Sequence, residues 1–111
     1  MNYNNKKFKA VSNSPTGEVE GNTLFHYYQK DNILWGTYAG QQIQFGTITG
    51  IVHDNGNLSF AYQHVNNKNE IMTGNCQSTL EVLENGKIRL HEKWLWTCKD
   101  ESSGESIVEE I

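Results

Sequence analysis

The sequence predicts an all-β fold, a small antiparallel up-and-down β-barrel of seven or eight strands, on three observations. Strand-like segments recur at intervals of roughly ten residues, with no long segment of helical period between them. Turn signals rich in Asn, Asp and Gly separate these segments, so consecutive strands are expected to pair antiparallel. Several segments alternate between apolar and polar residues, which gives each strand one face for a core. A two-sheet sandwich is the alternative arrangement of the same strands.

Strands are expected over 7–12, 17–29, 33–39, 42–53, 57–66, 71–83, 87–98 and 104–111. The connections are Lys30-Asp31-Asn32, Gly40-Gln41, Asp54 to Asn57, Asn66 to Asn69, Glu84-Asn85-Gly86 and Asp100 to Gly104. Asn55-Gly56 and Asn85-Gly86 are the strongest turns, because Asn and Gly both accept the positive φ angles of a tight hairpin. Pro15, the single proline, falls in the turn Ser-Asn-Ser-Pro-Thr-Gly and interrupts no central strand. Ser78-Thr79-Leu80-Glu81 also has the form of a helix capping box. A helix begun there would have about two turns before Asn85-Gly86, too few to be stable alone, and the strand is preferred.

Trp35-Gly36-Thr37-Tyr38-Ala39-Gly40 and Phe45-Gly46-Thr47-Ile48-Thr49-Gly50 repeat the pattern aromatic-Gly-Thr-x-x-Gly. Glycine weakens a strand, so its recurrence implies a sharp bend, with the adjacent aromatic covering the exposed backbone. Such bending suits a sheet that curls into a barrel. Two copies are too few for a solenoid or propeller.

The 111 residues fit one domain, 1–111. Net charge is −4, and the nine Lys and Arg residues are scattered, which argues against nucleic acid as a partner. Mean hydropathy is −0.66 and no apolar run is long enough to cross a bilayer as a helix. The start of the chain has no apolar stretch of the secretory kind, so a cytoplasmic protein is expected, without a membrane partner. Cys76 and Cys98 are expected as reduced thiols, with a bridge between them left open. The histidines at 26, 53, 64 and 91 show no ligand spacing, so neither a metal nor another cofactor is expected.

The candidate site follows from alternation. Over 87–98 one face carries Ile88, Leu90, Glu92, Trp94, Trp96 and Cys98, a lone carboxylate among apolar and aromatic neighbours. Such a carboxylate is costly to bury unless a partner, a proton or a ligand answers it. Leu58, Phe60, Tyr62 and His64 form the apolar face of 57–66, and Leu24, His26 and Tyr28 are taken as the inward face of 23–29. If these faces share one interior, Glu92, His64, His26, Tyr62 and Tyr28 converge beside Trp94 and Trp96, a composition suited to a small organic ligand. Two further functions fit the same residues. Glu92 with a histidine would serve as an acid/base pair, or the aromatic face would close a homodimer or dock a partner. No nucleophile elbow or phosphate loop is present.

Phe25-His26-Tyr27, Leu34 to Tyr38, Tyr62 to Val65, Gly86 to Trp94 and Gly104-Glu105-Ser106 resemble a family of short bacterial proteins labelled N-acetylglutamate synthase or N-acetylglutamate synthase-related. The resemblance implies acetyl transfer from acetyl-CoA. In the usual acetyltransferase fold that chemistry uses a Gln/Arg-x-x-Gly-x-Gly/Ala loop leading into a helix whose free N–H groups hold pyrophosphate. That string does not occur in this chain, and no catalytic residue carries over. In outline, the expected barrel is similar to the lipocalin and avidin type, whose interior holds side chains or one small ligand.

Overall fold

The computed structural model describes residues 2–13, 17–18 and 21–111. Eight strands run in meander order: β1 (Lys6–Asn13), β2 (Leu24–Lys30), β3 (Ile33–Ala39), β4 (Ile43–Val52), β5 (Leu58–Asn66), β6 (Ile71–Val82), β7 (Ile88–Trp96) and β8 (Ser103–Glu110). Each pairs antiparallel with the next, and β8 returns to β1, so the sheet closes into a barrel. The sandwich alternative is thereby excluded. Closure leaves no unpaired edge in the sheet.

The sheet curls with the help of bulges between Ala10 and Ser12 in β1 and between Ile43 and Phe45 in β4. The sequence suggests that the adjacent aromatics cover the repeated glycines, and they do not. Trp35 and Phe45 point outward and are partly exposed. Gly36 and Gly46 instead face rings from the neighbouring strand: Tyr27 is paired with Gly36, and Tyr38 with Gly46. The bare backbone gives an inward ring room to lie against the wall.

One end of the barrel is plugged. Tyr3, Phe8, Tyr27, Leu34, Leu58 and Leu90 are all fully buried there. The Tyr3 hydroxyl crosses the end to donate to the carbonyl of Gly56 in the β4–β5 turn. Ring centroids of Phe8 and Tyr27 are 5.0 Å apart. The β1–β2, β3–β4, β5–β6 and β7–β8 connections surround the other end.

Several boundaries differ from expectation. The second strand begins at Leu24 rather than near 17, because Gly21-Asn22 forms a turn and Gly17-Glu18 is not part of the ladder. The Pro15 turn lies outside the described residues. β7 ends at Trp96, where the chain turns so that Lys99 and Glu101 take positive φ. Ser78 to Glu81 is strand, held by pairing with β7 along its length and, at Ser78, with β5 as well. In the two strongest turns only Gly56 and Gly86 adopt positive φ, of 88° and 84°. The bonds from Gly56 N to His53 O and from Gly86 N to Leu83 O mark three-residue loops with a glycine bulge, not two-residue turns. Both cysteines are free thiols.

Candidate functional site

The inward faces of β5 and β7 are those the alternation predicts. Leu58, Phe60 and His64 are buried and Tyr62 half-buried on β5, and Ile88, Leu90, Glu92, Trp94 and Trp96 are buried on β7. Toward the open end the later side chains of β5, from Phe60, and of β7, from Glu92, border a cavity of about 40 Å³. Its walls include Tyr62, His64, Glu92, Trp94 and Trp96, so five of the seven candidate residues meet there. A volume of that size accommodates a few waters or one small head group, at roughly 10–15 Å³ for each water.

His26 and Tyr28 do not meet the others. β2 turns Phe25 and Tyr27 inward and leaves Leu24, His26 and Tyr28 on the outer face. Outside, His26 stacks on Tyr28 at 4.4 Å and Tyr28 on Trp35 at 5.9 Å. The expectation that both line the interior is therefore corrected. Both faces of β2 carry large rings, so apolarity does not rank them. The fully buried Phe8 and Tyr3 select Tyr27 as their neighbour.

Glu92 is 6 % exposed. Register places Ser78 of β6 and Ser106 of β8 beside it on the same level. Ser78 Oγ donates to Glu92 Oε2 at 3.0 Å and Ser106 Oγ to Oε1 at 3.1 Å. Burial pushes the carboxyl up to about 7, against the opposing pull of these hydroxyls and of Cys76. Burial and the Glu92 charge in turn push the Cys76 thiol up, so it is not a reactive thiolate.

His64 belongs to a second network. Its Nε2 lies 2.8 Å from Glu18 Oε1, and its Nδ1 lies 2.8 Å from the Tyr38 hydroxyl. Since a carboxylate only accepts, Nε2 carries the proton and Nδ1 accepts from Tyr38. Burial lowers the His64 pKa more than the Glu18 bond and charge raise it. Glu18 also receives Asn66 Nδ2 at 3.1 Å, which fixes the carboxylate at the cavity mouth. Glu92 and His64 thus share a cavity, each within its own set of hydrogen bonds.

The rings form the remaining wall. Trp94 and Trp96 meet edge to face at 5.7 Å, as do Tyr62 and Trp96 at 5.8 Å and His64 and Trp96 at 5.7 Å. Phe25 and Tyr38 stack at 5.1 Å. With Trp94 and Trp96 in the interior, they are not the surface of a dimer. Sequence reasoning missed Glu18, Tyr38, Ser78 and Ser106. Among the described residues, no group of three His, Cys, Asp or Glu side chains is placed to hold a metal ion.

A closed eight-stranded antiparallel barrel, plugged at one end and carrying an aromatic-walled cavity with a carboxylate at the other, defines a class of small barrels with room for one ligand. The family model described as "Avidin-like protein" matches residues 1–111, and the chain belongs to that family. No curated protein and no solved structure gives a significant match. The loop and helix of the usual acetyltransferase fold have no counterpart among the described residues, none of which is helical.

Proposed function

We propose that this protein binds a small organic molecule at the open end of its barrel, with Trp94, Trp96 and Tyr62 as the wall and Glu92 and His64 as the polar contacts. One observation carries the reading: in an avidin-like chain, residues from two separate strands bring an aromatic wall, a buried carboxylate and a histidine to a single cavity. Membership of an avidin-like barrel family supports small-ligand binding, and biotin is the natural first compound to try. A ligand larger than the cavity places one group inside and extends out past Glu18.

The test is tryptophan fluorescence and thermal shift of the full chain against biotin and a small-molecule collection. Binding is expected to quench Trp94 and Trp96 and raise Tm. Glu92→Gln and Trp94→Ala are expected to abolish the response while the fold survives. An unchanged response in both folded variants would remove the assignment.

A homodimer is the second reading, on a different surface from the one the sequence suggested. Ile33 and Ile51 are cross-strand partners on the outer face of β3 and β4 beside Trp35, and the three are 46 %, 45 % and 42 % exposed. Light scattering at micromolar concentration should give twice the chain mass, falling to the single mass in Ile51→Lys. A single mass for the unaltered chain would reject it.

A further inference from the structure

Resting on the reading of the cavity as a ligand site, the balance of charge inside it identifies the chemistry of the ligand. Glu92 meets only hydroxyls and a thiol. Glu18 adds a second carboxylate at the mouth, and the cavity wall contains no Lys or Arg among the described residues. The titratable groups facing Glu92 from the other strands are Tyr27, Tyr38, Tyr62 and Cys76, all pushed up by burial and therefore neutral at pH 7. His64 is held neutral by its own burial. Glu92 thus has no fixed positive charge to answer it, whereas Glu18 at the mouth feels the ammonium of Lys99, which is itself paired with Glu70 at 2.7 Å.

The rest of the wall suits a cation. Trp94, Trp96, Tyr62, Phe60, Phe25 and Tyr38 line the space, and aromatic faces attract ammonium and guanidinium groups most strongly where water is excluded. A carboxylate has about four acceptor sites, and the serines occupy one on each Glu92 oxygen, so further N–H donors find places. An anion entering the same space would meet both Glu18 and Glu92. A neutral group would leave the carboxylate without a counter-charge, and the side chain would hold its proton instead.

We propose that the cavity seats the head of a compact organic cation, an alkylammonium or alkylguanidinium, against Glu92 and between the surrounding rings, with the alkyl part leading out past Glu18. The 40 Å³ volume restricts the enclosed part to a head of that size. A bound cation favours the ionised carboxylate, so binding strengthens as pH rises through the Glu92 pKa and releases a proton.

The experiment uses the full chain carrying Trp35→Phe, which removes the one outward-facing indole, and follows Trp94 and Trp96 fluorescence and titration calorimetry. The probes are n-butylammonium, n-butylguanidinium, butyramide, butanoate and biotin, at pH 6 and pH 8. The two cations are expected to bind saturably, about tenfold more tightly at pH 8 than at pH 6 for a carboxyl that titrates near 7. Glu92→Gln should weaken them at least tenfold, whereas Ser78→Ala, which leaves the charge, should weaken them less. Butyramide or biotin binding as tightly as the cations, in a Glu92-dependent way, would overturn the cation assignment and leave the ligand-binding barrel standing. Silence from every probe would overturn the cation assignment and count against the barrel reading as well.

Discussion

The ring of Tyr38 fills the space that a side chain at position 46 would need: a Cβ on Gly46 would lie 2.4 Å from Tyr38 Cζ. The same Tyr38 donates to His64. A missing methyl on β4 therefore sets the position of a histidine on β5. Gly46→Ala should drive Tyr38 off the wall, break its bond to His64, and cost about 1–3 kcal/mol through overpacking. Chemical denaturation would measure the loss. Adding Tyr38→Leu to that variant should restore part of it, and additive losses in the double variant would refute the coupling.

The carboxyl of Glu92 gives a definite pH signature. Its folded value of about 7 stands above the ordinary 4.5, so between those values the folded state keeps a proton that the unfolded chain releases. Its contribution to stability is whole below about 4.5 and falls away as pH rises toward 7, by about 3 kcal/mol in all. His64 acts in the opposite sense. With its folded value lowered from 6.5, the unfolded chain takes up the proton first, and stability falls as pH drops below 6.5. Glu92→Gln should therefore gain on the unaltered chain progressively from pH 5 to pH 8, leaving only the His64 slope. Unfolding free energies at pH 5, 6.5 and 8 decide it, and a pH-independent difference would contradict the burial of the charge.

Two buried tyrosines should respond differently to loss of their hydroxyls. Tyr3 donates to Gly56 O, whereas Tyr27 Oη is buried with no hydrogen-bond partner among the described residues. Tyr3→Phe should cost about 1 kcal/mol or more, because a buried carbonyl loses its donor. Tyr27→Phe should be neutral or slightly stabilising, since an unanswered hydroxyl leaves the core. Urea midpoints of the two variants make the comparison. A costly Tyr27→Phe would show that this hydroxyl has a partner.

Glu18→Gln keeps an acceptor near His64 Nε2 but removes its charge. Both the Glu18 hydrogen bond and its charge raise the His64 pKa against burial, so the variant should titrate lower still. Imidazole proton shifts followed by NMR give the value directly. An upward move would mean that Glu18 does not raise the His64 pKa, against its place 2.8 Å from Nε2.

The legible part of this fold is the part where one face of a strand is plainly more apolar than the other. β7, with Arg89, His91 and Lys93 against Leu90, Trp94 and Trp96, has only one reading, and β5 has nearly the same clarity. β2 has large rings on both faces, and only its contacts with Tyr3 and Phe8 decide between them. The placing of Ser78 depends on the loop type, since a two-residue turn at Asn85-Gly86 would pair Glu84 with Lys87 and set Thr79 opposite Glu92. The glycine loop pairs Leu83 with Lys87, and counting outward from it places Ser78 opposite Glu92. Ser106 was less accessible, because the connection after β7 is longer and its centre is not marked by an Asn-Gly pair. Glu18 reaches His64 over 46 positions of chain from outside any strand, where alternation carries no information.

The first and last described segments both lie at the end sealed by Tyr3: Ile111 N bonds to Lys7 O, and Lys6 pairs with Glu110 at 3.0 Å. Anything fused to either terminus would thus project away from the cavity mouth. Tethering the protein to a sensor surface through a tag at either end presents the open end, and with it the proposed ligand entrance, to the bulk solution, so immobilised and free protein should report the same affinity for any ligand bound there.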